Sequence, residues 1–109
     1  MMNKLIERFI DATNKSDVKA TLALFAPDAV IDDVSVGDKF TDTDGVRRYL
    51  DQFFVGYHTS TKLLSIEMKG NHRAIARVDF TGDFGHEIGL LDVSINQNGL
   101  IQEIAADLE

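Results

Sequence analysis

The chain has 109 residues, of which 44% are hydrophobic and 27% charged, and this predicts one globular domain over residues 1–109 with a single hydrophobic core. It contains no cysteine, which excludes disulfides, thiolate nucleophiles and cysteine metal sites and suits the reducing cytoplasm, where we expect the protein. The formal net charge of −7 disfavours nucleic acid and anionic membranes as partners, and no segment is apolar over the roughly 18 residues that cross a membrane.

The N-terminal part of the sequence predicts two helices. Apolar residues recur at helical spacing over residues 3–14, which indicates an amphipathic helix. Ser16 is suited to cap a second helix that runs to Phe25. Pro27 prevents the helix from continuing, so that Pro27 and Asp28 predict a turn.

A short apolar strand follows this turn and ends in two adjacent carboxylates, Asp32 and Asp33. Since side chains alternate along a strand, one of the two must point toward the side that packs. A carboxylate that faces an apolar interior costs several kcal/mol unless it is paired, protonated or functional. The end of this strand is therefore a candidate functional site, although alternation alone does not say which carboxylate faces inward.

The remaining sequence predicts a third helix and then a sheet. The helix, capped by Thr43 or Asp44, carries one apolar face made of Val46, Tyr49, Leu50, Phe53 and Phe54. Apolar residues alternate over 64–69, 74–81 and 87–96, and a last strand over 100–106 follows the Asn98–Gly99 turn. Strands joined by such short turns form an antiparallel meander. The order predicts an α+β domain, a curved antiparallel sheet with three helices on its concave face. The other face is uncovered, which predicts a homodimer through it.

Two segments resemble a known family. Residues 4–33 resemble its pattern of an apolar helix, a small-residue break, the sequence LF-x-x-D-A and then V-x-D. Phe40, Val46 and Tyr49–Leu50 resemble the loop and third helix that follow, with Asp42 where the family often has glycine. The family is the nuclear transport factor 2-like superfamily, in particular its SnoaL-like and ketosteroid-isomerase-like branch. The resemblance covers nearly the whole chain and implies a cone-shaped fold with an apolar pocket.

The family hosts several reactions as well as proteins without catalysis, so the resemblance implies two functions. One is a small apolar-ligand-binding protein that acts as a cofactor-independent isomerase, cyclase or hydrolase through acid–base carboxylates. The other is a non-catalytic dimeric module that binds a ligand or a partner. Neither function requires a cofactor, and the three histidines share no metal-ligand spacing, so no metal site is predicted.

For the enzyme, the resemblance implies that Asp33 is the general base that removes a proton next to a carbonyl. The alternatives are an Asp33 that faces the pocket without a catalytic role, and a structural Asp33 that ends the strand at a wet rim and accepts backbone hydrogen bonds from the next loop. Asp92 resembles the second carboxyl group of the isomerases, which donates a hydrogen bond to the developing oxyanion. The alternative is an outward polar face, since Ser94 and Asn96 have the same parity as Asp92. The enzyme hypothesis requires both carboxylates to reach one apolar hollow.

Phe9 departs from the isomerase pattern, in which a tyrosine at this position is the main oxyanion donor. Phenylalanine cannot donate, and a lost donor of this kind costs roughly 3 kcal/mol in the transition state, so ketosteroid isomerisation itself is not expected. Tyr49 or Tyr57 can supply a hydroxyl instead. Alternatively, Tyr49 is a core aromatic whose hydroxyl meets water.

The predicted pocket accommodates a small, mostly apolar, uncharged or weakly basic molecule. We expect it to be lined by Phe9, Ile31, Tyr49, Phe53, Met68, Phe80, His86 and Leu90. Leu108 and Glu109 fit a cloning remnant as well as native sequence, and no site residue is placed there.

Overall fold

The structure, a computed structural model, describes residues 2–109 and combines helices with a single sheet. Its elements are α1 (Met2–Asn14), α2 (Val18–Leu22), β1 (Phe25–Asp33), β2 (Asp38–Thr41), α3 (Asp42–Leu50), a π-helical segment (Asp51–Val55), β3 (Ser60–Met68), β4 (Arg73–Gly82), β5 (Gly85–Ile95) and β6 (Ile101–Leu108). The predicted α+β class is confirmed. β2 is an additional strand, within a stretch that was expected to be a loop.

The six strands form one sheet in the order β2-β1-β6-β5-β4-β3. The second half of the chain is the predicted antiparallel meander, from β3 to β6. β1 enters beside β6 as its parallel neighbour and pairs with β2 on its other side. Register shifts interrupt the β1–β6, β3–β4 and β5–β6 pairs, and such irregularities bend strands, so the sheet curves around the helices.

The core lies between the inner face of this sheet and the helices. α1 packs on β3 and β4, and α3 packs on β1 and β2. Ala74 and Ala76 of β4 are fully buried, and their small side chains leave room for the bulky side chains of the helices. Phe9 lies in this core, 4% exposed, with its ring centroid 6.0 Å from that of Phe25 and 6.1 Å from that of Phe54.

The second helix is shorter than predicted. Asp17, and not Ser16, is its N-cap, because the Asp17 carboxylate accepts a hydrogen bond of 3.0 Å from the backbone N–H of Ala20. Ser16 lies outside the helix with a φ of 55°. The helix ends at Leu22, after which β1 begins at Phe25.

The turn predicted at Pro27 and Asp28 is an irregular part of β1. The pairing with β6 shifts register between Phe25 and Val30, the stretch that contains both residues. Proline has no N–H to donate to a neighbouring strand, which accounts for the interruption without a true turn.

The third helix begins earlier than predicted. Thr41 occupies the N-cap position, although its side chain makes no capping hydrogen bond, so neither Thr43 nor Asp44 is the cap. Asp42 has a φ of 63°, the left-handed conformation that glycine adopts most easily. The position where the family often has glycine therefore keeps a glycine-like backbone.

The predicted helix over Phe53 and Phe54 continues as the π-helical segment. The N–H of Gly56 donates to the carbonyl of Asp51 at 2.8 Å, and the N–H of Thr59 donates to the carbonyl of Phe54 at 2.9 Å. Both bonds span five residues, so the chain winds more loosely here than in an α-helix. Such segments are frequent at functional sites, and this one leads directly into the cavity described next.

Candidate functional site

Asp33 faces the interior, as the resemblance implied, and is 6% exposed. It follows Ala29 and Ile31 on the inner face of β1, and both of these are buried as well. Its Oδ2 accepts a hydrogen bond of 2.6 Å from the hydroxyl of Tyr49. The Tyr49 ring is 7% exposed, so its hydroxyl is not in water but is paired with Asp33.

The other oxygen of Asp33 organises the turn between β1 and β2. Oδ1 accepts hydrogen bonds from the backbone N–H and the hydroxyl of Ser35, at 2.9 Å and 2.5 Å. The carbonyl of Asp33 also accepts from the N–H of Gly37 at 2.9 Å. Asp33 thus orders the loop after β1 through hydrogen bonds, as a structural role for this residue predicts, and it does so from a buried position.

The Tyr49 hydroxyl remains protonated across the ordinary pH range. Burial raises the pKa of Tyr49 well above its usual value, and the adjacent carboxylate of Asp33 raises it further, because a phenolate there would be repelled. Tyr49 is therefore a fixed donor, and Asp33 is the acceptor that it orients.

Asp33 and Tyr49 line a cavity of about 240 Å³. The other lining residues come from the β1–β2 turn, the π-helical segment and the residues after it, the β4–β5 hairpin and the end of β6: Ser35, Val36, Phe53, Phe54, Tyr57, Thr59, Phe80, Phe84, Glu87 and Leu108. Asp33, Tyr49, Phe54 and Thr59 are buried, whereas Val36, Tyr57 and Phe84 are exposed, so the cavity has a polar inner end and an open mouth.

Aromatic rings form a continuous wall from the inner end to the mouth. The ring centroid of Phe53 lies 5.0 Å from that of Tyr49 and 5.8 Å from that of Tyr57. Tyr57 in turn lies 6.0 Å from Phe84 at the mouth. These are the spacings of packed aromatic pairs, so the wall is held by its own contacts.

The second acidic residue of the cavity is Glu87, and not Asp92. Glu87 lies on the inner face of β5, with Leu91 and Val93, and is paired across the sheet with Phe80. Its carboxylate is exposed, and among residues 2–109 it has no salt-bridge partner and no hydrogen-bond donor.

The predicted meeting of Asp33 and Asp92 does not occur. Asp92 lies on the outer face of β5, since the flanking Leu91 and Val93 are the buried residues of this strand. Both of its oxygens accept hydrogen bonds from Arg73, at 2.9 Å and 2.7 Å. Arg73 lowers the pKa of Asp92, which is the opposite of the protonated acid that the oxyanion role requires.

Of the predicted pocket residues, some line the cavity and the others lie in the core or on the outer face of the sheet. Tyr49, Phe53 and Phe80 line the cavity. Phe9 and Ile31 are instead buried core residues, and Met68 is 48% exposed on β3, so none of these three reaches the cavity. His86 and Leu90 share the outer face of β5 with Asp92, and the Nδ1 of His86 lies 2.7 Å from an oxygen of Asp79.

Sequence reasoning missed the residues that lie on turns. Ser35, Val36 and Phe84 line the cavity from the β1–β2 and β4–β5 connections, where no periodicity marks an inward side. Glu87 shares the strand parity of Leu91 and Val93, but parity alone did not mark it as inward, because Ile88 and Leu90 make the other face of β5 apolar as well. Over residues 2–109, no cluster of three or more histidine or acidic side chains is placed to hold a metal ion, and no helix has the length and apolar character to span a membrane.

The fold and the sequence were compared with known proteins. The sequence pattern of the SnoaL-like domain matches residues 6–99. No curated protein matches the chain in sequence.

Solved structures with the same fold include enzymes and a ligand complex. A candidate polyketide cyclase from Sinorhizobium meliloti superposes with a TM-score of 0.85 at 20% identity, over 94% of this chain and 93% of that one. SalBIII, an epoxide hydrolase/cyclase-like enzyme with a role in pyran ring formation in the polyether salinomycin, superposes with a TM-score of 0.85 at 14% identity. The match covers 98% of this chain and 89% of that one. A Mycobacterium tuberculosis protein in complex with estradiol-17beta-hemisuccinate gives 0.83 at 16% identity, over 94% and 88%.

At these identities the structural likeness establishes the fold alone. The domain match covers most of the chain, from α1 to the turn before β6. The chain therefore belongs to the SnoaL-like family of the nuclear transport factor 2-like superfamily.

Proposed function

We propose that the chain binds a small, mostly apolar molecule in the cavity, with the polar group of that molecule directed at Asp33. The observation that carries the proposal is the buried hydrogen-bonded pair of Asp33 and Tyr49 at the inner end of an aromatic-walled cavity. Burial of apolar ligand surface against aromatic walls favours binding by roughly 25 cal/mol of transfer free energy per Å². A few fixed polar groups then orient the ligand. The steroid body of the estradiol hemisuccinate bound by the M. tuberculosis neighbour supports an apolar ligand body for this fold.

A slim neutral probe tests this binding. We expect 4-phenylbutan-1-ol, titrated by NMR, to shift the amide signals of Val36, Tyr57 and Phe84, which surround the cavity mouth. Asp33→Asn should weaken binding of the alcohol more than binding of butylbenzene, because only the alcohol has a group to donate to the carboxylate. Shifts confined to the outer face of the sheet, or no shifts, would overturn the proposal.

A second candidate is acid–base catalysis in the same cavity, favoured by the position of the Asp33 carboxylate among apolar walls. In this scheme Asp33 removes a proton from the carbon next to a carbonyl and returns a proton to the same molecule, and Tyr49 keeps the carboxylate in place. Asp92 takes no part. The cyclase neighbours support this candidate at the level of the fold.

Deuterium exchange separates binding from catalysis. In D₂O, an enzyme of this type should exchange the protons next to the carbonyl of 4-phenylbutan-2-one faster than buffer does, and Asp33→Asn should abolish the difference. Binding of the ketone without faster exchange would rule out this chemistry and leave the binding function in place.

We also propose that the chain forms a homodimer through the outer face of the sheet. Ile75, Ile88 and Leu90 are only partly buried on this face, and the Arg73–Asp92 and His86–Asp79 pairs flank them. Leu90→Arg should convert the dimer to a monomer in light scattering, with binding of the alcohol preserved. A wild-type chain that is monomeric at micromolar concentration would refute this assembly.

A further inference from the structure

We infer that the natural ligand carries a positively charged amine or another organic cation next to its apolar body. This inference rests on the proposed binding function and specifies the class of ligand. It is drawn from the charges of the cavity, which all have the same sign.

The two acidic side chains of the cavity are Asp33 and Glu87. No lysine, arginine or histidine among residues 2–109 lines it. The two hydroxyl-bearing aromatics, Tyr49 and Tyr57, are neutral donors, and Tyr49 already donates to Asp33. A ligand therefore meets negative charge at the inner end and again at the mouth, without a positive side chain to offset either.

Glu87 distinguishes a cationic ligand from a neutral one. An uncharged alcohol can satisfy one oxygen of Asp33, but it leaves the carboxylate of Glu87 without a counter-charge beside apolar ligand surface. An ammonium group offers three donors and a full charge, and hydrogen bonds between ionised groups are about twice as strong as neutral ones. The same charges repel a ligand that carries a carboxylate.

Asp33 lines the cavity and has acceptor capacity left for such a donor. Its Oδ2 accepts only from Tyr49 among the described residues, and a carboxylate oxygen has two lone pairs. The aromatic wall adds a second attraction, because the faces of Tyr57, Phe53 and Phe84 are negatively polarised and attract cations. The net charge of −7 further raises the local concentration of cations near the mouth.

Three probes with one apolar body test the inference. We expect 4-phenylbutan-1-amine to bind about tenfold more tightly than 4-phenylbutan-1-ol at pH 7 and low salt in calorimetry, and 4-phenylbutanoate to bind most weakly. Glu87→Gln should reduce the preference for the amine over the alcohol several-fold, because the counter-charge at the cavity is removed. The matched control is Glu7→Gln, which removes the same charge from the exposed side of α1.

Each outcome has a separate meaning. Equal affinities for the amine and the alcohol would overturn the inference while the proposed binding stands. An equal loss in Glu87→Gln and Glu7→Gln would also overturn it, because the preference would then come from overall charge and not from the cavity. Failure of all three probes to bind would overturn the proposed function itself.

Discussion

Tyr49 shows how a single side chain determines whether a buried charge is tolerated. Its hydroxyl is the only donor to Oδ2 of Asp33 among residues 2–109, and the contact is shielded from water. Burying a carboxylate oxygen without a donor costs more than the hydrogen bond contributes when it is present. We therefore expect the Asp33–Tyr49 pair to stabilise the fold as well as to shape the cavity.

Tyr49→Phe should therefore lower the free energy of unfolding by about 1–3 kcal/mol, because Oδ2 of Asp33 loses its donor. Urea denaturation followed by circular dichroism measures this loss. Tyr57→Phe is the matched control: Tyr57 is 40% exposed, so we expect its variant to remain within about 0.5 kcal/mol of wild type. Equal effects of the two substitutions would show that the Asp33 contact contributes no stability.

Asp92→Asn should cost less than about 1 kcal/mol at pH 7, because its pair with Arg73 lies on the outer face of the sheet. Arg73 lowers the pKa of Asp92, so the stabilisation is complete above the ordinary carboxylate pKa and is lost as the pH falls through the lowered value. Urea midpoints of variant and wild type should therefore converge below about pH 4. A loss of several kcal/mol at pH 7 would contradict the outer-face geometry.

The two predicted carboxylates show what strand parity can establish. The family pattern favoured Asp33 as the inward carboxylate, and its side chain lies on the inner face of β1, whereas parity left Asp32 and Asp33 equivalent. For Asp92, apolar residues occur on both faces of β5, with Ile88 and Leu90 outside. A strand that is apolar on both sides gives no signal of which side is inner.

At the scale of elements, the π-helical segment connects the two tyrosines of the aromatic wall, Tyr49 and Tyr57. It contributes Phe53 and Phe54 to the cavity and leads into Tyr57. The sequence identified the apolar face of this region but not its looser winding, because the helical period is read over a longer stretch than five residues. β2 was missed for a related reason, since four residues are too few to show alternation.

Gly56→Ala should disturb this segment. A Cβ at residue 56 would lie 2.7 Å from the carbonyl oxygen of Gln52 and 3.0 Å from that of Asp51, which are backbone atoms that cannot turn away. We expect a loss of about 1–3 kcal/mol in unfolding free energy and weaker binding of 4-phenylbutan-1-ol. Gln52→Ala, at an exposed position one turn earlier, should leave both quantities nearly unchanged.

At the scale of the whole molecule, β6 joins the two halves of the chain. It pairs with β1 from the helical half and with β5 from the meander. Ile104 lies at this junction, opposite Ile31 on one side and Val93 on the other, and is 2% exposed. The meander was predictable from its alternation and turns, whereas the parallel β1–β6 pair joins distant segments and leaves no local mark in the sequence.

Ile104→Ala should lower the free energy of unfolding by about 2–5 kcal/mol, because it opens a cavity between the two halves. Unfolding monitored by tyrosine fluorescence and by far-ultraviolet circular dichroism should shift to the same new midpoint, as expected of one cooperative unit. Glu103→Ala, at the exposed neighbouring position, should shift neither. Separate midpoints for the two signals would mean that the halves unfold independently.

The parallel pairing of β1 also has a consequence for biosynthesis. During synthesis α1, α2 and β1 precede the meander, so that residues 101–108, which form the neighbouring strand β6, are made some seventy residues after β1. Until then, one edge of β1 has no strand beside it, and Asp33 lacks its final surroundings. We expect the net negative charge of the chain to oppose the association of unfinished copies during that interval.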